Sequence, residues 1–270
     1  MASDTTSMPI RRAAPRWSVR RKLIWIAGIA LTVLIYAHAW TNTGSSISEL
    51  VSGLSNMGDI IRRSFPPAVR VLHESLTASI VTLDTALLGT TAALVISLLL
   101  TPLAARNLSP HRVLYEASRL LIAVTRTIPS FIFALYFVTA VGLGPFAAVL
   151  ALAVHSIGTL GKLFAETVEE MDTGPVDALR AAGASRLQVF LHAVLPGVAT
   201  AFVGLVLYRF DVNVRDSLVT GIVGGGGIGF LIFNSMQLFQ YREVSMELIV
   251  LLGLLLAVER ISSILRARIN

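Results

Sequence analysis

The sequence predicts an all-α protein that crosses a membrane about six times, and its composition and apolar windows are the observations that indicate this. Of 270 residues, 54% are hydrophobic and 14% are charged, whereas soluble domains carry about 25% charged residues. Several windows approach the ~20 apolar residues that a membrane-spanning helix needs. The expected spans lie near residues 23–40, 77–101, 127–142, 145–161, 194–209 and 245–258.

The distribution of basic residues predicts how these spans are oriented. Six spans put both termini on the same side, and a cytoplasmic N-terminus places most arginines and lysines inside, as the positive-inside rule requires. Arg62, Arg63 and Arg70 run against the rule, because they fall on the predicted outer side. The net charge of +6 mostly reflects this orientation, so we expect the lipid bilayer, and no nucleic acid, as a partner.

The first 76 residues divide into a tail and a segment that contains one span. Residues 1–22 form a basic cytoplasmic tail, and residues 23–76 contain the first span and an external segment. Apolar residues recur in that segment at near-helical spacing, which predicts an amphipathic helix on the outer surface. The "FPPA" at 65–68 ends it, because proline cannot continue a helix. Residues 77–270 then form the membrane core.

No motif in the chain indicates catalysis or nucleotide binding. The "GTLGK" at 158–162 lacks the first glycine and the Ser or Thr that a phosphate-binding loop needs, since Ser156 and Leu163 stand there. The glycines at 224, 226 and 229 fit a dinucleotide motif by letter, but no βαβ unit surrounds them. Cysteine is absent, and no metal-spaced histidines occur. We therefore expect no metal, no cofactor and no enzymatic activity in this chain.

Two short capped helices are predicted in a stretch that is too charged for lipid. Thr173 and Gly174 form a cap, Pro175 takes the first helical position and Gly183 follows the last good helix former, which predicts a helix at about 175–182. The "SRLQ" at 185–188 is a capping box that begins a second helix. Such an exposed elbow suits a groove on a partner protein, and the alternative is a stiff connector between two spans.

Charged residues follow the span predicted at 194–209. An ionisable residue at membrane depth is by default a functional hypothesis. The candidates for lining a substrate path are Arg209, Asp211, Asn213 and Arg215, together with Arg126 ahead of the helix break at Pro129. The alternatives are an ion pair of Arg209 with Asp211 or with an acid of another span, and ordinary snorkelling by Arg215. We expect Asp84 to pair with one of these arginines, and His155 to be a hydrogen-bonded packing residue.

The glycine-rich "GIVGGGGIGF" at 221–230 predicts a break in helical structure. Each glycine costs a helix about 1 kcal/mol relative to alanine, and non-helical backbone is tolerated in a membrane only where it faces protein or water. We expect a non-helical or re-entrant turn that acts as a gate or hinge, with tight packing as the alternative. Its candidate residues are Gly224, Gly225, Gly226, Gly227 and Gly229.

The elbow resembles the EAA loop of ABC importer permeases. Ala178, Gly183, Leu195 and Pro196 match its pattern, and Asp177 keeps the acidic charge in place of Glu. The other departures are Leu179 in place of the second Ala and Ala193 in place of Ile. The stretches "TIPSFIFAL" at 127–135 and "YRFDVNVRDSLVTGIVGGGGIGF" at 208–230, together with residues 142–185, resemble the phosphonate-transport permeases of these importers.

The resemblance implies a type I (MetI-like) permease fold with its EAA loop at about 172–196. It implies two ABC ATPase subunits that bind ATP and Mg, an extracytoplasmic binding protein, and a second permease copy or a sister permease. The ATPase-coupling residues would be Asp177, Ala178, Arg180, Ala182, Gly183, Leu195 and Pro196. The substrate would be a phosphonate, phosphate or phosphite. The alternatives are a permease for another small ligand such as methionine, a secondary transporter driven by an ion gradient, or a membrane scaffold.

Overall fold

A computed structural model of the chain describes residues 19–44 and 46–269, which form helices joined by turns and contain no strand. The helices are α1 (Val19–Asn42), α2 (Ile47–Ser64), α3 (Leu72–Ala104), α4 (Arg112–Thr127), α5 (Ser130–Val141), α6 (Pro145–Glu170), α7 (Gly174–Ala181), α8 (Arg186–Val189), α9 (Leu195–Thr220), α10 (Gly227–Gln237) and α11 (Tyr241–Ile269). Most of the predicted basic tail, residues 1–22, lies outside the described residues.

Five helical stretches in the described part of the chain are long and apolar enough to cross a membrane. They are Leu23–Asn42, Val69–Ala104, Pro145–Glu170, Arg186–Gly225 and Tyr241–Arg268. A sixth crossing is available if α4 and α5 form one broken span, because they are bent by 90° at the break between them. The prediction of an all-α protein with about six spans is therefore confirmed.

Two of the predicted spans differ from the observed helices. The span expected at 127–142 is not one straight helix, because α4 ends at Thr127 and α5 begins at Ser130. Ile128 precedes a proline and is extended, with φ −81° and ψ 122°, as steric contact with the proline ring favours. The span expected at 194–209 is too short, since helical structure continues through the charged residues to Thr220 and beyond.

The chain divides into two units at Asp59. In the first unit, α1 is a membrane-length helix whose span has no buried residue. Helix α2, at the boundary, is also without buried residues, and its position confirms the predicted helix ahead of "FPPA". The second unit, residues 60–270, contains α3 to α11.

Small residues let the central helices of the second unit pack closely. Helix α3 packs on α6 and α9, and its buried face consists mostly of serine, threonine, alanine and glycine. A Cβ atom added at Gly89 would lie 2.9 Å from Cβ of Leu152, and one at Gly158 would lie 2.5 Å from the backbone N of Arg126. Small residues at these points permit the close approach that helix association in a membrane depends on.

One end of this unit holds the largest apolar cluster. Phe164 on α6 stacks on Phe202 of α9, with ring centroids 3.9 Å apart. Val176 of α7 and Val189 of α8 are buried in the same cluster. The two short helices are therefore attached to the membrane helices by apolar contacts, although their other side chains are mostly exposed.

Candidate functional site

The predicted elbow is present, and we define it as residues 174–188. Helix α7 ends in a left-handed Gly183, with φ +82°, and the N–H groups of Gly183 and Ala184 donate back to the carbonyls of Arg180 and Leu179, both at 3.0 Å. These bonds form the glycine C-cap expected from the sequence. Ser185 and Gln188 then form a complete capping box at the start of α8. The predicted boundaries of α7 and α8 are confirmed, but the Thr173 side chain does not form the expected cap of α7, and the carboxylate of Asp172 accepts from the N–H of Gly174 at 3.1 Å instead.

The elbow presents a row of exposed residues. The exposed members of the predicted coupling set are Asp177, Ala178, Arg180, Ala182, Gly183 and Pro196. Leu195 is half-buried and begins α9. Proline at 196 has no N–H to donate, and the segment before it, Phe190–Val194, is wound as a π-helix, a rare form that occurs mostly as single turns within α-helices. Leu195 and Pro196 thus lie at a helix junction rather than on the exposed knob.

A turn between α3 and α4 supports the elbow, and sequence reasoning missed it. One guanidinium nitrogen of Arg180 donates to the carbonyl O of Asn107 at 3.0 Å, and another lies 3.7 Å from Asp177. The side-chain amide of Asn107 donates to the carbonyl of Val168 on α6 at 2.9 Å. Through these bonds the elbow, the turn and α6 are joined. No short motif marks Asn107, because its role depends on residues more than 60 positions away.

A carboxylate at the end of α6 holds the same turn. Glu169 accepts from the guanidinium of Arg119 at 2.7 Å and from the backbone N–H of Arg106 at 2.7 Å. Arg119 also donates from Nε to the carbonyl of Ala104. A cavity of about 380 Å³ lies beside this turn, between residues 102–110 and the α8 segment. The elbow therefore rests on a hydrogen-bonded base and not on a free loop.

A buried polar network joins α3, α6 and α9 in the helix bundle. Arg209 donates from Nε to Ser156 Oγ at 2.9 Å, and Ser156 donates to Asn213 Oδ1 at 3.0 Å. The amide of Asn213 donates to Thr90 Oγ1 at 2.8 Å. All four residues are at most 4% exposed. Buried polar groups are stable only when hydrogen-bonded, so this chain of bonds fixes the register of three helices.

The ion pairs on α9 differ in partner from the ion pair that was the alternative for Arg209. Arg209 pairs with Asp216 at 3.2 Å, and not with Asp211. Asp211 instead pairs with Arg215 at 3.1 Å, one helical turn away. The Arg215 side chain is 52% exposed and also lies 4.0 Å from Glu259 on α11. Arg209 is thus an internal residue, while Arg215 keeps part of its guanidinium at the surface of the subunit.

The remaining polar candidates make no hydrogen bond to this network among the described residues. Arg126 is exposed at the end of α4. His155 Nδ1 donates to the carbonyl of Ile128 at 3.0 Å, which confirms it as a hydrogen-bonded packing residue. Asp84 is exposed on α3, and no ion pair to an arginine is found for it among the described residues, so its expected pairing is wrong. Within the same residues, no group of three or more side chains is suited to a metal ion.

The glycine-rich turn interrupts the helix as predicted. Gly224, Gly226 and Gly227 have φ of +105°, +74° and +72°, values that side chains with a Cβ rarely adopt. The carbonyl of Gly224 accepts from the N–H of Gly144 at 2.9 Å. A Cβ at Gly225 would lie 2.7 Å from Cβ of Ala148. The turn is therefore both non-helical and tightly packed.

Comparison with known proteins identifies the family. Residues 93–270 match the family described as binding-protein-dependent transport system inner membrane component. The phosphite transport system permease protein PtxC of Stutzerimonas stutzeri is 41% identical over 219 residues, which are 81% of this chain and 80% of PtxC. The phosphate-import permease protein PhnE of Mycolicibacterium smegmatis is 42% identical over 211 residues, which are 78% of this chain and 40% of PhnE.

A solved structure has the same fold. A chain of the inward-facing MetNI methionine ABC transporter aligns with a TM-score of 0.59 over 75% of this chain and 95% of its own length. It is 21% identical in sequence, so this likeness concerns the fold alone. The fold is the MetI-like fold of type I ABC importer permeases, as expected. This chain belongs to the family of binding-protein-dependent transport system inner membrane components, and it is a multi-pass membrane protein.

Proposed function

We propose that this chain is the permease subunit of an ABC importer for phosphite, phosphate or phosphonate anions. It works with two ATPase subunits that bind ATP and Mg, an extracytoplasmic binding protein, and a second copy or a sister permease. The names of the curated relatives support the substrate class, and phosphonate enters through the sequence resemblance. The chain has no enzymatic activity of its own, and it lies in the cell membrane with both termini in the cytoplasm.

The elbow is the observation on which the coupling role depends. Its exposed residues from Asp177 to Gly183 are presented by two capped helices, and Arg180 anchors them to the turn at Asn107. An ATPase subunit binds the elbow in a groove, and movement of this subunit displaces the elbow. The displacement reaches α6 through Asn107 and Val168, and it reaches α9 through the helical segment that follows α8. A rigid knob suits this purpose because a flexible loop would absorb the movement.

Arg215 is the substrate-path residue that the geometry supports best. Its side chain is 52% exposed in the single subunit, and a charge at membrane depth that faces lipid is costly. A water-filled path between two permease copies gives it a polar surrounding. Asp211 orients the guanidinium, while Arg209 and Asn213 hold α9 in position. Arg126 and the glycine-rich turn remain candidates for the path and for its gate.

The test is co-purification of the chain with its neighbouring-gene products, followed by reconstitution into lipid vesicles. ATP hydrolysis is measured with the binding protein and with phosphite, phosphate, methylphosphonate or methionine. We expect stimulation by one or more of the three phosphorus oxyanions and none by methionine. Stimulation by methionine alone would support the other permease class, and anion uptake by this chain without ATPase subunits would support a secondary transporter.

A further inference from the structure

Two of the arginines that run against the positive-inside rule, Arg63 and Arg70, line one open cavity. It has a volume of about 840 Å³, and the residues that line it are Arg63, Pro67, Ala68, Val69, Arg70, Phe239, Gln240, Tyr241, Arg242 and Glu243. We call it the outer cavity, because the orientation in the proposed function puts it on the extracytoplasmic side. It lies between the segment that follows α2 and the turn between α10 and α11.

Hydrogen bonds hold the two walls of the outer cavity together. The backbone N–H of Ala68 donates to the carbonyl of Arg242, and Nε of Arg242 donates to the carbonyl of Pro66, both at 2.8 Å. The hydroxyl of Ser245 donates to the carbonyl of Ser64 at 2.7 Å. The cavity is therefore a fixed feature of the second unit and does not depend on one flexible loop.

The charge of the lining is positive and partly uncompensated. It contains three arginines and one glutamate, a net charge of +2. Arg70 is bridged to Glu243, but no ion pair or hydrogen bond of the Arg63 side chain is found among the described residues. An acidic surface is the complement of such a lining, because complementary charge steers and orients association.

Phe239 provides an observation that is independent of charge. It has φ +56°, the only positive φ among the described residues other than glycine, and its side chain is 74% exposed. The N–H groups of Phe239 and Gln240 donate to the carbonyls of Met236 and Ser235, at 3.1 and 2.9 Å. The same arrangement ends α7, where the left-handed residue is Gly183.

A bulky side chain in this conformation is a backbone outlier, since glycine fits the position without strain. Strain of this kind concentrates at functional sites. Phe239 is not buried, so packing inside the subunit does not explain it. It lies with its ring 6.3 Å from that of Tyr241 at the rim of the cavity, where an approaching surface would meet both rings.

We propose that the outer cavity docks an acidic protrusion of the extracytoplasmic binding protein, with Arg63 and Phe239 as principal contacts. This inference rests on the proposed function, which supplies the binding protein and the orientation. Aromatic residues and arginine are enriched at the centres of protein interfaces, whereas an exposed phenylalanine contributes nothing to holding a free anion.

The experiment titrates the reconstituted complex with the purified, substrate-loaded binding protein from the same transporter and measures ATP hydrolysis. We expect Arg63→Glu and Phe239→Gly each to raise the binding-protein concentration for half-maximal stimulation about tenfold, with basal hydrolysis unchanged. Arg62→Glu is the matched control, because Arg62 is exposed next to Arg63 but does not line the cavity; we expect less than a twofold change. Phe239→Gly also relieves the backbone strain, so the melting temperature of the complex with this variant should not fall.

Four outcomes would overturn the inference. The first is that Arg63→Glu and Phe239→Gly give the same titration curves as the wild type, while binding protein stimulates the wild-type complex normally. A second is a fall in the melting temperature of these variants without a change in the half-maximal concentration, which would make Arg63 and Phe239 structural residues of the subunit. A third is stimulation of the wild type, but not of Arg63→Glu, by millimolar phosphite or phosphate without binding protein. If no binding protein stimulates the wild type, the proposed function itself fails, and the inference with it.

Discussion

Arg209→Ala is expected to destabilise the subunit, because it leaves Asp216 without its partner inside the helix bundle. The Arg209 side chain is 5% exposed and that of Asp216 is 29% exposed. The change removes the ion pair at 3.2 Å and the hydrogen bond at 2.9 Å to Ser156. Breaking a buried pair by removing one partner costs about 3–5 kcal/mol. Since water reaches part of Asp216, we expect the free energy of unfolding to fall by about 3 kcal/mol, the lower end of that range.

Thermal melting of the purified subunit in detergent measures this loss. About 1 kcal/mol shifts the melting temperature of a chain of this size by about 2–4 °C, so we expect a decrease of roughly 6–12 °C. Adding Asp216→Ala should restore most of it, because no unpaired carboxylate remains. Adding Asp211→Ala is the matched control and should restore nothing, since Asp211 pairs with Arg215. Equal effects of the two added changes, or wild-type melting of Arg209→Ala, would refute the reasoning.

Three further predictions concern coupling, the path and orientation. Gly183→Val places a β-branched residue at φ +82°, which costs about 1–2 kcal/mol, so substrate should no longer stimulate ATP hydrolysis although the chain still inserts into the membrane. Gly183→Asn should retain most of the stimulation, and normal stimulation in the valine variant would contradict the coupling role. Arg215→Ala should reduce anion uptake about ten- to a hundredfold by removing a charge-assisted contact worth about 1.5–3 kcal/mol, and it should also lower the melting temperature, because the Asp211 side chain, 11% exposed, loses its partner. Arg215→Lys should restore the melting temperature and part of the uptake, and unchanged uptake in Arg215→Ala would remove Arg215 from the path. A membrane-impermeant maleimide should react with Ser55→Cys only from outside and with Ser185→Cys only from the cytoplasm. Reaction of both thiols from one side would contradict the six-span topology.

Local signals in the sequence were sufficient for the short elements. The helix expected at 175–182 is observed at Gly174–Ala181, because a proline at the first turn and a following glycine act within a few residues. The break at 221–230 was equally local, since consecutive glycines exclude a regular helix. Both features depend on backbone conformations that neighbouring residues determine, so they can be predicted without knowledge of the tertiary structure.

Hydropathy misplaced a span end where charges are paired inside the bundle. The predicted span ends at 209 because Arg209 and Asp211 lower the local hydropathy, yet α9 continues to Thr220. The helix tolerates these charges because Asp216 lies two turns after Arg209 and satisfies it, while Asp211 and Arg215 form a pair at i, i+4. Side chains at i, i+2 do not face each other on a helix, so a pair of Arg209 with Asp211 could be considered only because the predicted span ended before Asp211, whereas both residues lie on α9.

Contacts between distant segments were beyond the reach of sequence reasoning. Asn107 contacts Arg180 and Val168 across 73 and 61 residues, and neither residue type nor spacing indicates this. The outer cavity combines residues near 65 with residues near 240. The sequence marked its arginines only as exceptions to the positive-inside rule, and it gave no sign that Phe239 takes a left-handed conformation.

Site-specific cross-linking at the elbow tests the central claim most directly, which is that the elbow docks on an ATPase subunit. The chain contains no cysteine, so Ala178→Cys introduces a unique thiol at an exposed position, and Ser55→Cys provides an exposed control on the proposed outer side. In the assembled complex, the thiol at 178 should cross-link to the ATPase subunit and should react with a maleimide at least tenfold more slowly than in the isolated chain, while the thiol at 55 should do neither. Equal maleimide reactivity at 178 in the isolated and assembled chain, with no cross-linked product, would contradict the account.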